Sequence, residues 1–168
     1  MLKPQDVLVS LKLAAHEHRT WTYEALATDL GLSPSATHAA VRRAAACGLL
    51  SSATHEPIRP ALLEFLVHGL RYVFPAVIGR RVRGMPTGAS AEPLARYLAS
   101  TETSPLVWPY ARGEARGESL APLYETVPEA AARDPELYAL LTVADGIRAG
   151  GARVRQVAAA LIEELLRR

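Results

Sequence analysis

The chain has 168 residues, enough for one ordinary domain or two small ones with a sizeable core and no structural metal. Its 49% hydrophobic and 21% charged residues match a folded globular protein, which excludes disorder throughout. The 19 basic and 17 acidic side chains leave a formal charge of +2, so nucleic-acid binding rests on where the arginines sit, not on bulk charge. The lone cysteine, Cys47, excludes an internal disulfide and a cysteine-rich zinc site, and it suits a reducing, cytoplasmic setting. The opening Met-Leu-Lys-Pro-Gln-Asp lacks the pattern of a signal peptide. Apolar stretches such as Ala61–Val67 are interrupted by Glu64 and closed by His68, far short of the roughly 20 residues of a membrane span, so no membrane partner is expected.

The first fifty residues are helical in pattern. Pro4 suits a first helical position, and Val7, Leu8, Leu11 and Ala14 recur at helical spacing until His16–Thr20 breaks them. A second helix starts at Trp21-Thr22, with Thr22 as cap and Glu24 in the first turn, and stops at Gly31. A third begins at Ser33-Pro34 and ends at Gly48. Ser51–Pro60 reads as a turn or short hairpin. A fourth helix is expected from Pro60 to about Phe74, with Leu62, Leu63, Leu66, Leu70 and Val73 as its apolar stripe and His68 buried in that face.

Composition then shifts. Val77–Ser90 reads as loop with a short strand, Ala91–Ser100 as a short helix, and Thr101–Pro109 as turn. The tandem Ala111-Arg-Gly-Glu and Ala115-Arg-Gly-Glu is too short a period for a repeat fold and reads as an exposed loop or hairpin tip. Pro135–Arg148 and Ala152–Arg168 are amphipathic and separated by Gly150-Gly151, the pattern of an antiparallel helical hairpin.

Function concentrates in Thr22–Leu50. Ala27 is small enough for two helices to approach, Gly31 can take the left-handed corner, and Ser33 caps the next helix. On that helix Thr37, Ala40, Val41 and Ala44 fall on one side. Ser35, Ala36, His38, Ala39 and Arg42 fall on the other, with Arg43 beside them. Ser33 to Gly48 holds two arginines and no acid. Ala27, Leu30-Gly31-Leu32-Ser33, Val41 and Gly48-Leu49-Leu50 together resemble the winged helix-turn-helix of bacterial transcriptional regulators of the MarR and Lrp kind, over the N-terminal part only. The resemblance implies a recognition helix, Ser33–Cys47, in the major groove of double-stranded DNA, with contacts from Ser33, Ser35, Ala36, His38, Ala39, Arg42 and Arg43. The sequence departs from the family in two ways. The helix is alanine-rich, so few side chains can read bases, and Ser51–Pro60 supplies only Arg59 where the family carries a basic wing.

A second basic cluster, Arg80, Arg81 and Arg83, lies in the acid-free stretch Arg71–Ala91. It reads as extra phosphate contact or as the docking strip of an acidic partner, against a solvated loop paired elsewhere. His16-Glu17-His18 and His55-Glu56 have no third firm metal ligand nearby, and Cys47 reads as small packing in a last turn. Trp108, Tyr110 and Tyr124 read as core ahead of a partner hot spot. No catalytic set is recognisable, so no enzyme, cofactor or metal is expected.

The expected fold is mainly α. A winged or wing-reduced helix-turn-helix over 1–60 precedes a dimerisation or partner-binding region over 61–168, with irregular or short β structure and a C-terminal helical hairpin. The expected function is transcriptional regulation through DNA by a homodimer, with Ala152–Arg168 as the dimer surface. The alternative is an antitoxin-like protein-interaction module for the product of a neighbouring gene.

Overall fold

Three capped helices begin the chain in the computed structural model, which describes residues 1–99 and 104–168. α1 (Pro4–Ala15) starts at its proline, and the Lys3 N–H donates to Asp6 Oδ2 at 2.7 Å, closing the first turn. It is buried nearly all round, from Asp6 to Lys12, because it lies between two layers of helix. α2 (Tyr23–Leu30) is capped by the Thr22 hydroxyl, which accepts from the Ala25 N–H at 3.1 Å. Gly31 ends it with φ 66°, a left-handed turn that costs a glycine little. α3 (Pro34–Ala46) is capped in the same way by Ser33, and the chain then forms a short hairpin closed by the bridge Leu50–Pro57.

α4 (Arg59–Glu64) and α5 (Leu70–Val73) are one helical run interrupted by a π turn at Phe65–Gly69. A Cβ on Gly69 would stand 2.9 Å from the Phe65 ring, so the wide turn packs that ring against a glycine. Leu62, Leu66 and Leu70 stay buried, but the wider turn rotates later positions off an ideal α face. Two expectations therefore fail. His68 is exposed, and Val73 lies outside the stripe.

In the segment expected as loop with a short strand, the strand takes nine residues. β1 (Ile78–Pro86), β2 (Leu106–Pro109) and β3 (Ala115–Leu120) close on one another as a three-stranded barrel. β1 runs antiparallel to both others, and β2 and β3 are parallel. The tandem repeat is therefore no hairpin tip. Its first copy crosses over β1 and its second forms most of β3. Glycines make this closure sterically feasible. A Cβ on Gly84 would lie 2.0 Å from the Trp108 carbonyl oxygen, and one on Gly117 1.9 Å from that of Pro105. Among the described residues between β1 and β2, two 3₁₀ turns form, Gly88–Ser90 and Ala95–Tyr97, where a short helix was expected over Ala91–Ser100. The parts of those expectations on Ser100 and Thr101–Thr103 lie outside the described residues.

α6 (Val127–Arg133), unforeseen in the sequence, precedes α7 (Pro135–Ala149) and α8 (Ala152–Arg167), the expected hairpin. The fold is mainly α with a small mixed sheet. One apolar cluster runs from Val7 of α1 through Trp108 of β2 to Leu166 of α8, crossing the boundary expected at residue 60. α8 spends its stripe inside the chain. Ala158, Leu161, Ile162 and Leu166 are buried, and the helix packs on α7 and α4, so the face expected to dimerise is already covered. Among the described residues, no helix is long and apolar enough to cross a membrane.

Candidate functional site

The corner between α2 and α3 is built from small and apolar residues. Leu26, Ala27 and Leu30 of α2 are buried, as are Thr37, Ala40, Val41 and Ala44 of α3, the inward set expected from spacing. The Thr37 hydroxyl donates to the Ser33 carbonyl at 3.0 Å, so its burial leaves no orphan donor. A Cβ on Gly31 would meet Thr126, ahead of α6, at 3.3 Å, so the second half of the chain packs against the turn.

The opposite side of α3 is open. Ser33, Ser35, His38 and Arg42 are exposed, and Ala36 and Ala39 are half-buried between them. Ser35, His38 and Arg42 stand three and four residues apart, one row along the helix. The Ser33 hydroxyl accepts the capping N–H of Ala36 at 3.1 Å and sits 3.2 Å from Ser35 Oγ, which ties both serines to the helix start. The His38 ring meets Tyr23 edge-on, with centroids 5.0 Å apart and planes at 70°. Tyr23 thereby joins the open face. Nothing in the spacing linked it to His38, because the contact crosses from one helix to the next. Among the described residues, Arg42 has no carboxylate within ion-pair distance.

Arg43 is held differently. Its guanidinium donates from Nε to both Asp6 oxygens at 3.1 and 3.0 Å, and from its terminal nitrogen to Oδ1 at 2.7 Å. Asp6 is fully buried, so Arg43 locks α3 to α1 and its charge is neutralised where the sequence had suggested a free phosphate contact. Arg59 is occupied as well. It pairs with Glu17 at 2.7 Å and donates to the Leu166 carbonyl, and the Leu50–Pro57 hairpin itself contains no lysine or arginine.

The other candidates scatter. Arg80, Arg81 and Arg83 are exposed, but on β1, an element separate from α3. Arg116 of β3 stands opposite Arg83 in the register, a neighbour that only the strand pairing reveals. His16 binds Asp134 Oδ2 at 2.7 Å. Cys47 is exposed at the end of α3, contrary to its expected packing role. Trp108 is fully buried as core, its indole N–H donating to Asp145 at 2.6 Å.

Comparison with protein families, curated proteins and solved structures finds no match to this chain.

Proposed function

We propose that the chain binds double-stranded DNA through α3, as a regulator of transcription with a helix-turn-helix formed by α2, Gly31 and α3. The observation that carries this reading is the two-sidedness of α3. Thr37, Ala40, Val41 and Ala44 anchor it, while Ser35, His38 and Arg42 form an uncovered row with no acid between Ser33 and Gly48. A helix of about 10–12 Å diameter enters a major groove about 12 Å wide. In that pose Ser35 and His38 meet base edges or phosphates, Ala36 and Ala39 allow close approach, and Arg42 meets the phosphate backbone. Few of these side chains discriminate bases, so sequence preference rests on Ser35, His38 and duplex shape. The Leu50–Pro57 hairpin stands where a wing would, reduced and uncharged by arginine. A pair of chains on two half-sites supplies the binding energy that one short helix lacks, so we assign the active species as a homodimer, through a face other than the covered stripe of α8. The alternative, a protein-interaction module, draws support from a separate surface, the exposed start of β1.

The test is binding of the full chain to duplex DNA from upstream of its own gene, across a salt series. Arg42→Ala is expected to weaken binding and to reduce the slope of log affinity against log salt by about 1 for each chain bound. Affinity that ignores both salt and Arg42→Ala rejects the proposal.

A further inference from the structure

The start of β1 is an unusual surface for a small barrel. Tyr72, Val73, Val77 and Ile78 are 75, 50, 63 and 53% exposed, a run of large apolar side chains at the junction of α5 and β1. Arg71 lies over the Tyr72 ring at 5.2 Å, and Arg80, Arg81 and Arg83 follow on the strand, all exposed. β3 pairs with β1 from Ile78 to Gly84, but β2 pairs only with Gly84–Pro86. The Tyr110 N–H, just past β2, also donates to the Arg83 carbonyl at 3.3 Å, so over residues 78–82 β1 has a partner on one edge only among the described residues.

We infer that this free edge of β1 accepts an extended acidic peptide of another protein as an added strand. Three physical points select that occupant. First, a strand edge has backbone donors and acceptors at fixed spacing, which an extended polypeptide matches and a phosphate backbone does not. Second, the cations demand the opposite charge. Arg83 stands directly opposite Arg116, a like-charge pair that is destabilising until an anion shares it. The carboxylates nearest in register, Glu118 opposite Arg81 and Glu114 before Arg116, form no ion pair with them among the described residues. Third, a second copy of this chain is a poor occupant. Antiparallel self-pairing centred anywhere between residues 80 and 82 sets arginine opposite arginine. The matching peptide has acidic residues over Arg80, Arg81 and Arg83 and apolar ones over Val77 and Ile78. The proposal is independent of duplex binding by α3.

The experiment uses the full chain and a labelled decapeptide whose central run, Glu-Val-Glu-Glu-Ser-Val-Val, sets glutamates over Arg83, Arg81 and Arg80 and valines over Ile78 and Val77 in an antiparallel pairing, with fluorescence anisotropy for affinity and hydrogen exchange for location. The expected result is saturable binding with new amide protection within residues 79–82. Affinity should fall about tenfold or more in the double variant Arg80→Glu, Arg81→Glu. Methylating alternate peptide backbone nitrogens removes donors without touching charge, and it should abolish binding if the peptide adds as a strand. Equal binding of the methylated peptide, equal binding of the same peptide with lysine for glutamate, or no protection at residues 79–82 overturns the proposal. Tighter binding of a single-stranded oligonucleotide, lost in the same double variant, also overturns it and makes the surface a nucleic-acid contact.

Discussion

Arg42 and Arg43 are adjacent in sequence, yet one side chain reaches solvent and the other a buried carboxylate. A helix turns about 100° per residue, so neighbours differ in face, and the α1 surface beneath Arg43 carries Asp6. Their variants should fail differently. Arg43→Ala leaves Asp6 buried without its cation and is expected to lower stability by about 3–5 kcal/mol, read as a reduced denaturation midpoint. Arg42→Ala should leave that midpoint unchanged within about 0.5 kcal/mol and affect DNA binding alone. If Arg43→Ala melts like the parent chain, the ion pair is not the clamp described. Asp134 gives a pH-dependent counterpart. Burial works against its charge, but the Lys12 ammonium, the Leu137 N–H and His16 outweigh burial and hold the carboxyl below its usual value. A lowered folded value means the stabilisation is present above the ordinary aspartate range near about 3.9, and is lost as pH falls through the folded value. Asp134→Asn, which keeps a capping side chain, should narrow the difference in melting temperature between about pH 7 and about pH 3. A difference as wide as that of the parent chain would refute this account.

At the scale of elements, the barrel depends on backbone proximity more than on side chains. Three short strands that each pair with the other two must cross at distances no Cβ tolerates, and Gly84, Gly113 and Gly117 stand at the crossings. Gly84→Ala and Gly117→Ala are each expected to cost more than about 3 kcal/mol, because the obstructing atoms are backbone carbonyls and cannot rotate away. The readout is Trp108, which the barrel holds fully buried, so its emission should shift to the red as β2 separates. Gly151→Ala is the control, with open space around its would-be Cβ, and it should change little. α8 teaches a related lesson. Its strong apolar stripe was an expected dimer face, but amphipathicity reports only that something covers the helix, and here α7 and α4 do.

On the scale of the whole molecule, the first sixty residues and the rest share one core. α1 packs on α3 and on α7, and Lys12, buried on α1, is bonded to Asp134 of the α6–α7 junction at 2.6 Å and to Asp29 of α2 at 3.1 Å. A fragment of residues 1–60 would expose the α7-facing side of α1 and strand Lys12 without Asp134. It is expected to show no cooperative thermal transition where the full chain melts in one step. A sharp, reversible melt of the fragment would establish an autonomous domain. A second buried knot ties the far half together. Asp145 accepts from Thr87 at 2.8 Å, Trp108 at 2.6 Å and Arg148 at 2.6 Å, joining α7 to the barrel, while burial pushes its carboxyl up from the usual range.

Helices with local signals are legible from the residues alone. Thr22, Ser33, Pro4, Pro34 and Gly31 mark their ends through hydrogen bonds or backbone preferences spanning a few residues, and the inward row of α3 follows from helical period alone. Contacts between distant segments set the rest. The strand pairing of the glycine-rich middle, the partner of Arg43, the exposure of His68 and the covering of α8 depend on residues far apart in the chain. Local periodicity tells which way a side chain points from its own helix, but not what another segment places there, and that placement separates the open row of α3 from the cation locked against Asp6.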